Sequence, residues 1–311
     1  MIRQENMALL GTSKETIDAV RSKAGLTEDR TKEAVKALKE WLELQPHLPH
    51  DYDEARVESL FLRCKASVER CKEVIDMYYT VRSAIPEIFC NRDPEESWFQ
   101  LASSVRCCIP LPRLTEDFNR VRLIACLDQD PSKYNVYDMH KMIYMVTEIR
   151  TMEDYCFGDV YIIDFNNLTM AHVVKYSLPV LKKLEIASMK AFKARIRGIH
   201  FINVAPFVDS TIHLFKSLLK PKISARVHVH RKNSTTLLDH ISPKILPSEY
   251  GGEADSIHVL WDLWKKKIHS YREWFLSQEN SKVDESRRPG KAFDSSELFG
   301  FEGSFRQLAV D

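Results

Sequence analysis

Near residue 95 the hydrophobic pattern changes period. Before it, apolar residues recur at helical spacing; after it, short β-branched runs alternate with helical stretches. A chain with that switch builds a helical layer first and an α/β layer second, which excludes a single helical bundle and an all-β sandwich. In the first part, Thr12 with Glu15 forms a capping-box pattern ahead of Ile17 and Val20, and Gly25 is placed to stop that helix. Thr27 opens a second helix with Val35, Leu38 and Leu42 on one face, ended by Pro46 and Pro49. Val57, Leu60 and Phe61 mark a third helix, and Val68, Cys71, Val74 and Tyr78 a fourth, interrupted at Pro86. Faces this short must pack on one another, so residues 1–94 are expected to form a small all-α domain.

In the second part the runs at 121–127, 160–165, 199–203 and 226–230 predict four strands. Helices at 136–150 and 171–192 separate the first three, which points to α/β architecture on a mainly parallel sheet. Between the third and fourth strands, Phe207, Val208, Ile212, Phe215, Leu218 and Leu219 follow helical spacing. A last helix carries Trp261, Trp264, Ile268, Tyr271 and Phe275, closing a domain over 95–276. Residues 277–311 form a tail, polar and expected to be mobile to 297, with an apolar end at 298–305 that is expected to dock back.

Several chemistries lack their residues. None of the nine glycines builds Gly-x-Gly-x-x-Gly, a P-loop or a Gly-x-Ser-x-Gly elbow, which argues against nucleotide enzymes and serine hydrolases. Seven cysteines, an odd number with no Cys-x-x-Cys pair, suggest neither a disulfide framework nor a thiolate metal site. His228 and His230 share a strand face that His200 could join, but no carboxylate or Cys completes a familiar ligand set, so no metal is expected. Asp239-His240 reads as a surface pair and Asp164 as structural. The start of the chain lacks the apolar stretch of a signal peptide, and no window reaches membrane-span length, so a cytoplasmic location is expected.

Net charge is only +1, yet between Lys190 and Lys232 ten basic residues face a single acid, Asp209. Nucleic acid is not expected as a partner; such a patch suits a phosphorylated headgroup, met through Arg contacts. Arg195 and Arg197 share a face as they enter a strand, and Lys222 and Arg226 would share one on a helix.

Four stretches resemble the CRAL-TRIO family. They are Ile245-Leu-Pro-Ser-Glu-Tyr-Gly-Gly252, Arg195-Ile-Arg-Gly-Ile-His-Phe-Ile-Asn203, Leu60-Phe-Leu-Arg63 with Lys65, and Lys222-Ile-Ser-Ala-Arg-Val-His-Val-His230. The likeness runs from about residue 25 to 275 and is greatest to the tocopherol and retinaldehyde carriers; the closing Phe-Gly-Phe-Glu-Gly-Ser-Phe is similar to tails of invertebrate members. The resemblance implies a helical domain, then a sheet flooring a lipid pocket closed by a movable gate helix. By position, that pocket would draw on His140, Ile143, Thr147, Ile163, Leu184, Ala187 and Ile199, with Ile212 and Phe215 on the gate. Arg195, Arg197, Lys222 and Arg226 would bind phosphoinositide. His140 stands where a pocket Phe is common, a departure that bears on tocopherol itself.

The implied protein is a monomeric lipid carrier and no enzyme. It has no cofactor beyond its cargo, a tocopherol-, retinoid- or carotenoid-like lipid, and meets phosphoinositide membranes transiently. A phosphoinositide-sensing scaffold without cargo is the first rival; a lipid-ester hydrolase is the second, disfavoured by the missing elbow.

Overall fold

The computed structural model describes residues 9–10, 13–293 and 298–299, and all statements of structure concern these. Four helices, α1 (Lys14–Lys23), α2 (Glu28–Glu43), α3 (Glu54–Arg63) and α4 (Val68–Ala84), form the expected helical domain. The N-cap of α1 is Ser13, whose hydroxyl accepts from the Thr16 amide; the predicted cap Thr12 lies outside the described residues. Either residue supplies a hydroxyl ahead of the first turn, and spacing alone does not separate neighbours. Thr27 caps α2 as predicted. The buried faces of these helices meet in one apolar cluster containing Val35, Leu38, Val57, Leu60, Phe61, Val74 and Tyr78.

Helix α5 (Ser97–Val105) leads into a five-stranded sheet of order β1-β2-β3-β4-β5. The strands are β1 (Arg106–Leu114), β2 (Asn119–Cys126), β3 (Gly158–Asp164), β4 (Ile196–Val204) and β5 (Val227–Arg231). The last four pair in parallel and are those read from sequence; β1 is an addition, antiparallel to β2. Pro110 and Pro112 hid it, since proline is tolerated in a strand only at a sheet edge, which is where β1 lies.

Helix α6 (Val136–Glu153) connects β2 to β3, and α7 (Leu178–Ile186) connects β3 to β4, ending in a π-turn at Ala187–Ala191. Helix α8 (Asp209–Leu218) and a single turn at Pro221–Ser224 connect β4 to β5. Helices α9 (Ile257–Ser270) and α10 (Arg272–Ser277), divided at Tyr271, replace the single last helix expected.

The Leu-Pro-Ser-Glu-Tyr-Gly-Gly segment locks the carboxyl end of the sheet. The Tyr250 hydroxyl donates to Asp164 at 2.7 Å, and Glu249 caps α9 by accepting from the Ile257 amide at 2.9 Å. Gly252 is required there: a Cβ would fall 1.8 Å from the Leu246 carbonyl oxygen. Asp164 also accepts from Asn203 and the Asn166 amide, the structural role expected of it.

The tail is tied down over its described length, although its polarity suggested mobility. Arg82 donates to the carbonyls of Gln278 and Ser281, and Arg288 pairs with Asp76 and Glu285. Buried Leu298 enters the helical-domain cluster, in keeping with the expected docking; residues 300–311 lie outside the described residues.

Candidate lipid-binding site

Strand alternation and register place Arg122, Tyr161, Ile199 and Val227 in one row across the sheet and Ile124, Ile163, Phe201 and Val229 in the next, all on one face. Two physical features set this face apart. First, β2 is buried throughout, whereas β3, the middle strand, keeps accessible surface at Tyr161 and Ile163. A central strand is normally the best-covered one. Second, α8 rests on an apolar cluster of its own, made of Ile199, Phe201, Val204, Val208, Ile212 and Val227. Tyr161 and Ile163 pack against both this cluster and the main core. The Phe215 ring meets Phe201 edge-on at 5.6 Å. The side chains of Phe207 and Leu218, also assigned to the α8 stripe, lie outside the described residues.

The predicted pocket residues divide accordingly. Ile163 and Ile199 of the sheet come together with Ile212 and Phe215 of α8. Ile143 and Thr147 face the sheet from α6; the Thr147 hydroxyl donates to the Ile143 carbonyl and accepts from Arg122 at 2.9 Å. Leu184 packs against both the main core and the helical-domain cluster, and buried Ala187 belongs to the latter. His140 stands beside Tyr176, ring centroids 5.6 Å apart, and its Nδ1 donates to the Val136 carbonyl. Burial and then the charge of Arg106 push its pKa down to about 3, so it is neutral at physiological pH.

A cavity of about 740 Å³ opens elsewhere, at the carboxyl ends of the strands, lined by Cys126, Asp164, Asn203, His230, Leu237 and Tyr250 among others. None of the predicted pocket residues lines it.

The predicted anion site lies at the amino end of β4. Arg195 and Arg197 flank Gly158, where a Cβ would sit 2.4 Å from the Arg195 carbonyl oxygen and 3.0 Å from Arg197 Cγ. Arg226 donates from Nη1 to the carbonyl of Ile196, between those two arginines. Lys222 is exposed on the Pro221–Ser224 turn; that turn ends before Arg226, so the two do not share a helical face. Among the described residues none of the four forms a salt bridge: Asp159, whose amide donates to the Arg195 carbonyl, pairs with Arg150 instead. Burial, and after it the neighbouring Arg197, hold the Arg195 pKa below its usual value.

On the opposite face, His200, His228 and His230 gather as strand alternation predicted, joined by His240 from the following loop. His200 and His230 share a hydrogen bond at 3.0 Å, and His230 contacts the Thr236 hydroxyl at 2.7 Å. Among the described residues, no group of three or more His, Cys, Asp or Glu is arranged to hold a metal ion. Sequence reading passed over Arg122 and Tyr161. An arginine between Val121 and Leu123, in an otherwise apolar run, was the available signal.

Comparison with known proteins agrees with this architecture. Residues 27–99 match the Pinta-like UBA domain and residues 110–252 the CRAL/TRIO domain. A human alpha-tocopherol transfer protein-like protein is 25% identical over 267 residues, 84% of this chain and 74% of that one. Rat clavesin-2 is 32% identical over 136 residues, 43% of this chain and 41% of its own. The crystal structure of Sfh5 aligns with a TM-score of 0.42 at 15% identity, covering 78% of this chain and 99% of that one, too loose a likeness to build on. With a UBA-like helical region ahead of the CRAL/TRIO domain, the chain belongs to the CRAL-TRIO family.

Proposed function

We propose that this protein carries one small hydrophobic lipid, of the tocopherol, retinoid or carotenoid kind, and releases it at membranes containing phosphoinositide. The observation that carries the reading is the incompletely covered middle strand beneath a helix with its own small apolar footing. A lipid tail laid on Ile163, Ile199 and Phe215 gains about 25 cal/mol per Å² of apolar surface removed from water. Release requires α8 to lift, which forfeits only the contacts of that footing. An anionic surface that binds the open form better shifts the balance towards it. The four unpaired cations at the amino end of β4 are the groups through which such a surface would act. The protein acts as a monomer in the cytoplasm, meeting membranes peripherally. Among the described residues no helix is long and apolar enough to cross a bilayer.

The test is native mass spectrometry of protein purified from its own tissue, followed by organic extraction. One lipid per chain is the expected result. Protein that is empty, and stays empty when offered tocopherols, retinoids, carotenoids and phospholipids, would sink the carrier reading. Retained binding to phosphoinositide vesicles would then leave the sensing scaffold.

A further inference from the structure

Arg122 lies in the middle of β2 with 3% of its surface exposed, and it forms no ion pair among the described residues. Its partners are neutral. Nη2 donates to Thr147 Oγ1 at 2.9 Å and to Cys108 Sγ at 3.5 Å, and Nη1 donates to the Tyr161 hydroxyl at 3.3 Å. The guanidinium stands 5.3 Å from the Tyr161 ring centroid, and its buried Nε has no acceptor. Two residues earlier on the same strand, Arg120 shows how this fold treats a buried arginine it means to neutralise. Arg120 holds the Asp154 carboxylate through Nε and Nη2 and donates to the carbonyls of Leu10, Leu111 and Pro112. No such carboxylate serves Arg122: Asp159, the acid whose charge reaches it, is 2.7 Å from Arg150 Nη1. An unpaired buried charge is among the most unfavourable features a fold can retain.

Its position gives the charge a meaning. Arg122 stands in the same row as Tyr161 and Ile199, on the face that α8 covers, and it touches Thr147 of α6. Building on the carrier reading, we propose that Arg122 anchors the head of the cargo, and that the cargo is a lipid whose polar end is a carboxylate. A carboxylate matches the planar guanidinium fork, which can donate to it in pairs. The charges also balance: one guanidinium neutralises one carboxylate, whereas a phosphate monoester carries about −1.5 to −2 at pH 7 and would bring uncompensated charge with it. The Tyr161 hydroxyl, which accepts from Arg122, keeps its own proton to donate to the same head, while the tail follows Ile163 and Phe201 towards Phe215.

The experiment compares oleic acid with methyl oleate, which shares the tail and lacks the charge, by calorimetric titration of the full chain and of Arg122→Leu and Arg122→Lys. The wild-type protein is expected to prefer the acid by on the order of ten- to a hundred-fold, the range for a hydrogen bond to a charged group. Arg122→Leu should erase that preference by weakening the acid alone, and Arg122→Lys should retain part of it. Equal binding of acid and ester by the wild type, or a preference that survives Arg122→Leu, overturns the anchor and leaves the carrier intact. Failure to bind acid, ester, α-tocopherol and retinol alike overturns the carrier and the anchor with it. Should Arg122→Leu not fold, the wild-type thermal shift decides: oleic acid is expected to raise the melting temperature, and an equal rise with methyl oleate counts against the anchor.

Discussion

Buried charge meets a carboxylate at most positions of the domain junction and meets none at Arg122, on the cargo side of the sheet. At the junction, Glu148 of α6 receives Arg82, Arg92 and the Tyr78 hydroxyl, all deep in the interior. Arg56 beside them is the exception: its guanidinium has no hydrogen-bond partner among the described residues and is held by the ring faces of Tyr52 and Tyr78, centroids 4.2 and 4.5 Å away. A little further along, Asp154 takes both Arg120 and Arg150. By contrast, Arg122 has only neutral partners, and Arg195, Arg197, Lys222 and Arg226 form no ion pair among the described residues. A charge paired within the chain fixes how domains meet, because neither partner can leave without stranding the other. A charge left unpaired is open to a partner from outside the chain.

The comparison breaks most severely at Glu148. Glu148→Ala would convert the junction into a second set of unpaired buried cations, and should cost about 3–5 kcal/mol of stability in urea or guanidinium unfolding. A loss below about 1 kcal/mol would mean that the network is not what joins the domains.

On the cargo side the expected pattern is reversed. Arg195→Ala with Arg197→Ala removes charge that stabilises nothing inside the chain, so unfolding should move by no more than about 0.5 kcal/mol. Affinity for phosphoinositide vesicles should fall by about 2 kcal/mol, roughly 30-fold, at about 1 kcal/mol per basic residue. Unchanged transfer to such vesicles would remove phosphoinositide from the mechanism.

The two regions also differ in pH dependence, an effect that is small near neutral pH. At the junction, the flanking arginines hold the Glu148 and Asp154 carboxyls below their ordinary range despite burial, so their stabilisation is present above about pH 4 and is lost only as the pH falls further. Burial and neighbouring imidazoles push His200 down to about 3, and burial with Arg106 does the same for His140. For a lowered histidine the unfolded chain takes up the proton first. Stability should therefore be flat from pH 8 to about 7 and decline below about 6.5, approaching about 1.4 kcal/mol per pH unit for each such histidine. The urea midpoint followed against pH tests this; His200→Asn should make the decline shallower, and an unchanged slope would assign it elsewhere.

Much of the fold was legible because it follows local rules. The β-branched runs gave β2 to β5, alternation put His200, His228 and His230 on one face, and Thr27 marked the start of α2. The misses have physical causes. β1 contains two prolines that a central strand would reject, and only its edge position makes them harmless. The polar tail looked unattached because its anchors, Arg82 and Asp76, are some 200 residues away in sequence. Arg122 alternates with apolar neighbours as any half-exposed strand residue would. That it is buried, and without a carboxylate, depends on where α6 and β3 pack against it.

What the sequence determined by itself was the order of layers, the strand faces, the family and the concentration of basic residues before β5, since each rests on neighbours along the chain or on motif. Only the tertiary structure decided which charges are neutralised and which are not. Neutralisation falls off over a few ångströms, and the residues that supply or withhold it, Glu148 for Arg82 and Asp154 for Arg120 but none for Arg122, are brought together only by packing.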